Sequence, residues 1–259
     1  MSDRYFPCKQ IMMVLLWSAL TCACAGNIVV GTGKPPDSLK VISGMVQETE
    51  RIIATAQIDL MTAQGHYPVS AALILQKPSY FRMEIIPVIG TPDFFLASTP
   101  DDLRVYIPSR GEFYSGKPSA ENLGRFLSWT MNVEDMVMIF SGTYPPLTGE
   151  NTSYESYMEG QMLRVDMKAS SGYSQMIWIA QDGRIIKLVR NGSDGREIYS
   201  VQYEGYEPGS PFAGKIIVKM ADDVTSISVR FTDIKKEKAT DLSIFELPAP
   251  AGIKTIKLD

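Results

Sequence analysis

The run Glu84-Ile85-Ile86-Pro87-Val88-Ile89-Gly90-Thr91-Pro92-Asp93-Phe94-Phe95-Leu96 reads as the end of one strand, a Pro-X-X-Gly loop and the start of another strand. Two apolar segments follow: Ser119-Ala120-Glu121-Asn122-Leu123-Gly124-Arg125-Phe126-Leu127 and Asn132-Val133-Glu134-Asp135-Met136-Val137-Met138-Ile139-Phe140. Both have helical spacing and local start signals. Ser119 caps the first, and Asn132 with Asp135 three residues on resembles a capping box for the second. Gly142 and Pro145-Pro146 stop the second helix. Helices set into a run of strands must lie across the sheet and bury their apolar side on its face. The expected fold is therefore mainly β with α: a curved antiparallel sheet or incomplete barrel, with a two-helix lid over an apolar interior.

Working outward, Asp37 is placed to cap an amphipathic helix in which Leu39, Ile42, Met45, Val46 and Ile52 recur at three- and four-residue intervals. The period then becomes two. Ala56, Ile58 and Leu60 alternate with Gln57 and Asp59, and Val69, Ala71, Leu73 and Leu75 continue after a turn at Gln64-Gly65. Phe81, Met83 and Ile85 share one face of a third strand. Short strands are expected at 94–97, 103–107 and 112–115, separated by turn residues. A second meander covers 162–167, 175–180, 185–189, 198–203, 215–220 and 225–231, with Gln181-Asp182-Gly183-Arg184 as a hairpin turn. The reading gives about eleven strands in all. They form one domain over 37–259, preceded by a linker at 26–36, because no charge block or Pro/Gly/Ser run divides the chain.

Residues 1–25 read differently. Arg4 and Lys9 precede the apolar run Ile11–Leu20, which ends in Thr21-Cys22-Ala23-Cys24-Ala25-Gly26. This is an export leader with its charged, apolar and small-residue regions, and its core is about half of the ~20 residues a spanning helix needs. Two processing readings stand. Ala23 and Ala25 make an Ala-X-Ala site releasing a soluble periplasmic chain from Gly26, whereas Thr21-Cys22-Ala23-Cys24 resembles a bacterial lipobox with Cys24, or alternatively Cys22, as the acylated residue. All 3 cysteines, Cys8, Cys22 and Cys24, lie in the leader. The remaining chain thus has none for disulfides or thiolate metal sites.

Composition narrows the function. The net charge is -4 with both signs interspersed, so no basic stripe follows a phosphate backbone and nucleic acid is not expected as a partner. His66 is the only histidine, leaving no material for a histidine-based triad or a multi-histidine metal site. Asp101-Asp102 and Asp222-Asp223 read as turn residues, since adjacent strand positions point to opposite faces. Ser170-Ser171-Gly172 lacks a nucleophile-elbow context. No enzyme activity, cofactor or metal is expected. The chain carries 14 methionines and 10 phenylalanines. Met131, Met136 and Met138 cluster near Phe126, Trp129 and Phe140, which suits an adaptable apolar surface, although core filling is the commoner use of methionine.

The order of helix, meander, two-helix lid and second meander resembles the bacterial lipoprotein-sorting family of LolA and LolB. Pro87-Val88-Ile89-Gly90-Thr91 before Asp93-Phe94-Phe95 is similar to the LolB loop. Glu121–Leu127, Val133, Met136–Ile139 and Gly142-Thr143-Tyr144-Pro145 are similar to that family's paired lid helices, and Phe245-Glu246-Leu247-Pro248-Ala249-Pro250 is nearer the carrier branch. The resemblance implies a monomeric outer-membrane, periplasm-facing lipoprotein held by a lipid anchor. It would bind acylated lipoprotein or lipid cargo and receive it from a periplasmic carrier protein. It also implies that Val88, Ile89 and Gly90 form a membrane-insertion loop. The expected cavity and lid residues are Leu123, Phe126, Leu127, Trp129, Met136, Val137, Ile139 and Phe140, with Phe81, Met83 and Ile85 on the sheet. Two alternatives stay open: Ile89 folds inward with Gly90 merely permitting the turn, or the core is filled and the chain is an assembly lipoprotein acting through its outer surface.

Overall fold

The computed structural model describes residues 28–29, 33–129, 131–147 and 151–258. Cys22 and Cys24, with the rest of the leader, lie outside the described residues. The first strand is β1 (Ile28–Val29), followed by helix α1 (Asp37–Gly44). A first meander follows, formed by β2 (Glu50–Thr62), β3 (Gly65–Gln76), β4 (Tyr80–Ile86), β5 (Phe95–Ser98), β6 (Leu103–Ile107) and β7 (Glu112–Gly116). Helices α2 (Ala120–Leu127) and α3 (Val133–Phe140) separate it from a second meander. That meander comprises β8 (Thr152–Glu159), β9 (Met162–Ala169), β10 (Ser174–Ile179), β11 (Ile185–Asn191), β12 (Glu197–Glu204), β13 (Lys215–Met220) and β14 (Ser226–Lys238). A last strand is β15 (Thr255–Lys257).

These strands make one 15-stranded sheet in the order β1-β8-β9-β10-β11-β12-β13-β14-β2-β3-β4-β5-β6-β7-β15. The seam between the meanders is β14 against β2, antiparallel from Ser226 opposite Met61 to Lys238 opposite Glu50, with a bulge near Asp233. Every neighbouring pair is antiparallel except β15, which runs parallel to β7. Among the described residues no strand joins β15 to β1, so the sheet curves without closing. The expected fold class holds, and the strand number is higher than the eleven or so expected. The strands outside the expected ranges are β1, β8 and β15. They sit at or next to the sheet's edges, where a strand is short or half wet and its sequence alternates weakly.

Alternation decides which face is inside. In β10 every second residue of Ser-Gln-Met-Ile-Trp-Ile is buried, and β13 and β14 begin the same way. These inward residues of both meanders join Leu39, Ile42 and Val46 of the α1 region in one continuous apolar core. The α1 helix ends at Gly44, so Ile52 belongs to β2 and not to the helix. Asp37 is the first helical residue, not the cap; its carboxylate takes the Lys40 ammonium at 2.7 Å. On the convex side the segment after β14 straps the first meander. Arg82 donates to the carbonyl of Ile244 at 2.8 Å and Arg104 to that of Leu247 at 3.1 Å. Leu247 completes a small second cluster with Ala97 and Phe113.

Candidate functional site

The two helices on the concave face start as expected. Ser119 Oγ accepts from the Asn122 backbone N–H at 3.1 Å, and Asn132 Oδ1 accepts from that of Asp135 at 2.7 Å. Asp135 does not complete a capping box through its carboxylate, which accepts instead from the Tyr199 hydroxyl of β12 at 2.7 Å. A buried polar network extends from there. Arg190 donates to Gln175 Oε1 at 3.0 Å and to the Pro146 carbonyl at 3.3 Å; Gln175 donates to the Pro145 carbonyl at 3.1 Å, and Tyr203 to that of Thr143 at 2.9 Å. Burial raises the Asp135 carboxyl above the usual aspartate range, against the opposing pull of Tyr199 and Arg190. The same desolvation, with the nearby Asp135 charge, lifts the Tyr199 phenol well above its ordinary value. These bonds fasten α3 and the chain after it to the second meander.

The packing under α3 is correspondingly full. Met136, Val137, Ile139 and Phe140, together with Leu123 of α2 and Phe81 of β4, are all sealed in the core. None of these six lines the chambers described next. Helix α3 carries buried side chains on nearly every turn, Val133 and Asp135 included, and a helix apolar on most sides is a core element.

Helix α2 behaves differently. Beside it, a chamber of about 410 Å³ is lined by Ile58 and Leu60 of β2, Tyr67 and Val69 of β3, and Met83 and Ile85 of β4. Phe94, Phe126, Leu127, Ser128 and Trp129 close its other side. Of the expected cavity residues, Met83, Ile85, Phe126, Leu127 and Trp129 are therefore brought together here. The indole N–H of Trp129, whose residue is 5% exposed, has no hydrogen-bond partner among the described residues.

A second chamber of about 700 Å³ adjoins the first and shares Ile85, Phe94 and Phe126 with it. The Phe126 ring meets Tyr114 edge-on at 5.0 Å between centroids. The other walls of this chamber come from Pro87, Asp93, Ile107, Ser109, Arg110, Arg125 and the β15 residues Ile256 and Lys257 with Leu258 beyond them. Asp93 accepts from the Ser109 backbone N–H at 2.6 Å and its hydroxyl at 2.5 Å, and these bonds hold its carboxyl below the usual range. Sequence reasoning missed the charged residues of this chamber. Arg110, Arg125 and Lys257 come from three distant segments, and no spacing rule links them.

The loop between β4 and β5 rises from this rim. Its base is closed by the Ile85 N–H to the Phe94 carbonyl at 3.1 Å and by the Asp93–Ser109 pair. At its tip Val88 is 102% and Ile89 90% exposed, the highest values among the exposed large apolar residues. Gly90 follows at φ +98°, a conformation side chains rarely adopt. Ile89 thus points into solvent, and the inward-folded alternative does not occur. The remaining candidates are structurally plain. His66 pairs with Asp59 at 3.2 Å in an exposed position, and Asp222 accepts from Val224 and Thr225 in a turn. Among the described residues there is no group of three His, Cys, Asp or Glu placed to hold a metal, and no helix long and apolar enough to cross a membrane.

No protein-family profile and no curated protein matches this chain. Solved structures do. A LolA superfamily protein from Nitrosomonas europaea superposes with a TM-score of 0.57 at 15% identity, over 85% of this chain and 98% of that one. A structure described as an outer membrane lipoprotein-sorting protein domain from Vibrio parahaemolyticus gives 0.55 at 16% identity, over 81% and 94%. This chain has a LolA-like fold. A DUF1329 family protein from Desulfovibrio piger shares it as well, at 0.56 and 12% identity over 81% and 95%. The likeness extends over most of the described sheet and its helices, while the chamber residues are those of this chain.

Proposed function

We propose that the protein is an outer-membrane lipoprotein, acylated at Cys24 or alternatively Cys22, that binds an acylated lipoprotein or a lipid in its apolar chamber. In this reading it takes cargo from a periplasmic carrier and assists its insertion into the membrane. The observation that carries the reading is the placement of Val88 and Ile89 in full solvent on a loop whose base forms the chamber rim. Exposed neighbouring aliphatic side chains are costly in water, and burying one in a bilayer returns roughly 1.5–3 kcal/mol. A loop held firmly at its base would bring the chamber mouth to the lipid surface. An acyl chain in the periplasm has a matching need, because each exposed methylene costs about 0.8 kcal/mol. The neighbouring structures described as LolA superfamily and lipoprotein-sorting proteins support the same direction.

The test uses a Cys22→Ser/Cys24→Ser chain, so that no acyl anchor obscures the result, and flotation with phosphatidylethanolamine–phosphatidylglycerol vesicles. Ile89→Glu is expected to weaken vesicle association by about 10-fold or more while leaving the melting temperature unchanged, since the side chain packs against nothing. Unchanged association would remove the loop from the reading. The sealed packing under α3 favours a second reading, an assembly lipoprotein acting through its outer surface. Native mass spectrometry of detergent-free protein separates the two: a co-purified acyl peptide or lipid supports the first, and a bare polypeptide that binds no acyl probe supports the second.

A further inference from the structure

We infer that the two adjoining chambers form one site for a single-chain anionic amphiphile, with the alkyl chain beside Trp129 and the anionic head among Arg110, Arg125 and Lys257. The inference rests on the reading that the chamber takes acyl chains, and it names their chemical class. Size is the first argument. If a methylene takes roughly the ~30 Å³ of a water molecule, the 410 Å³ chamber holds on the order of a dozen carbons. That is one acyl chain; a triacylated anchor would leave the others outside. The neighbouring chamber is larger, but it presents Asp93, Arg110, Arg125 and Lys257 to its occupant, which suits a head group and not further hydrocarbon.

Charge is the second argument. Three cations and one carboxylate line the outer chamber, and that carboxylate, Asp93, is already occupied by two donors from Ser109. The other nearby acids neutralise the cations weakly. Arg110 lies 3.9 Å from Glu112, which also accepts from the Tyr114 hydroxyl, and Arg125 lies 3.8 Å from Glu121. A carboxylate or phosphate head entering between them would gain closer partners than the cations now have. The three shared side chains, Ile85, Phe94 and Phe126, stand where chain would give way to head.

The experiment is calorimetric titration of the purified Cys22→Ser/Cys24→Ser full chain with tetradecanoate, tetradecanol and a synthetic triacylated lipopeptide. Tetradecanoate is expected to bind about 10-fold more tightly than the alcohol at low salt, as three partly exposed cations would give, with the advantage lost near 1 M salt through screening. In Arg110→Gln/Arg125→Gln/Lys257→Gln, whose changes are at exposed positions, the two ligands should converge while alcohol affinity stays the same. Equal binding of acid and alcohol at low salt would overturn the anionic assignment and leave acyl binding standing. Tighter binding of the triacylated lipopeptide than of tetradecanoate would overturn the single-chain assignment. Failure of every probe would overturn this inference together with the reading beneath it.

Discussion

Asp135 is the residue whose energetics the fold sets most firmly. Its carboxyl is buried at the start of α3, and burial raises its titration above that of the unfolded chain, so between the two values the folded state holds a proton that the unfolded state releases. The resulting stability is complete below the unfolded value and is lost as pH rises through the higher folded value. Replacing Asp135 by Asn keeps an acceptor for Tyr199 and removes the titration. Urea unfolding across pH 3.5–7 should therefore show the variant matching the parent at the acid end and gaining on it as pH rises. A difference that does not change with pH would mean that Asp135 stays charged in the fold. The sequence could place Asp135 three residues after a cap. It could not show that its carboxylate turns to Tyr199, because that contact spans two elements joined only by the sheet's curvature.

At the scale of the element, α2 and α3 have the same length and similar caps but different duties. Helix α3 is pinned by hydrogen bonds from Tyr199 and around Pro145-Pro146, whereas α2 rests beside the chambers, with Phe126 and Arg125 in their walls and Arg125 3.8 Å from Glu121. Of the two lid helices, α2 is the one whose residues line the chambers. Ser119→Ala removes the acceptor for its Asn122 N–H and should cost about 1 kcal/mol, seen as a fall of roughly 2–4 °C in melting temperature; a loss of similar size is expected in acyl-probe affinity, since Phe126 and Leu127 ride on this helix. A melting shift with no change in probe binding would detach α2 from the site. Both helices were legible because caps act over three residues and helical periods over seven. Which apolar face meets a void was not legible. Met136 and Phe126 look alike in sequence, and only the local radius of the sheet decides that one is packed and the other lines a chamber.

For the molecule as a whole, α3 packs on β3 and β4 and is hydrogen-bonded to the second meander through Tyr199, and the first meander carries the chambers, the exposed loop and a covered convex face. The alternation of β2–β7 and β9–β14 was readable, as was the loop at Pro87–Pro92. The partners of the edges were not, because β15 returns to β7 in parallel from more than a hundred residues away and three residues carry no period. That last strand has a further consequence. It is held to β7 by pairs at Thr255, Ile256 and Lys257 and by the Leu258 N–H on the Ser115 carbonyl at 2.9 Å, and Gly116 is bare where a Cβ would stand 2.5 Å from that of Leu258. Short elements with few bonds open first, and when β15 peels away it takes Ile256, Lys257 and Leu258 out of the chamber wall. Amide exchange at 255–258 should be among the fastest in the sheet, faster still in Gly116→Ala, and slowed by tetradecanoate; slow exchange unaffected by ligand would contradict this route. On this route the doorway lies at the margin of the sheet, where Ile256 and Lys257 of a three-residue strand make up part of the chamber wall.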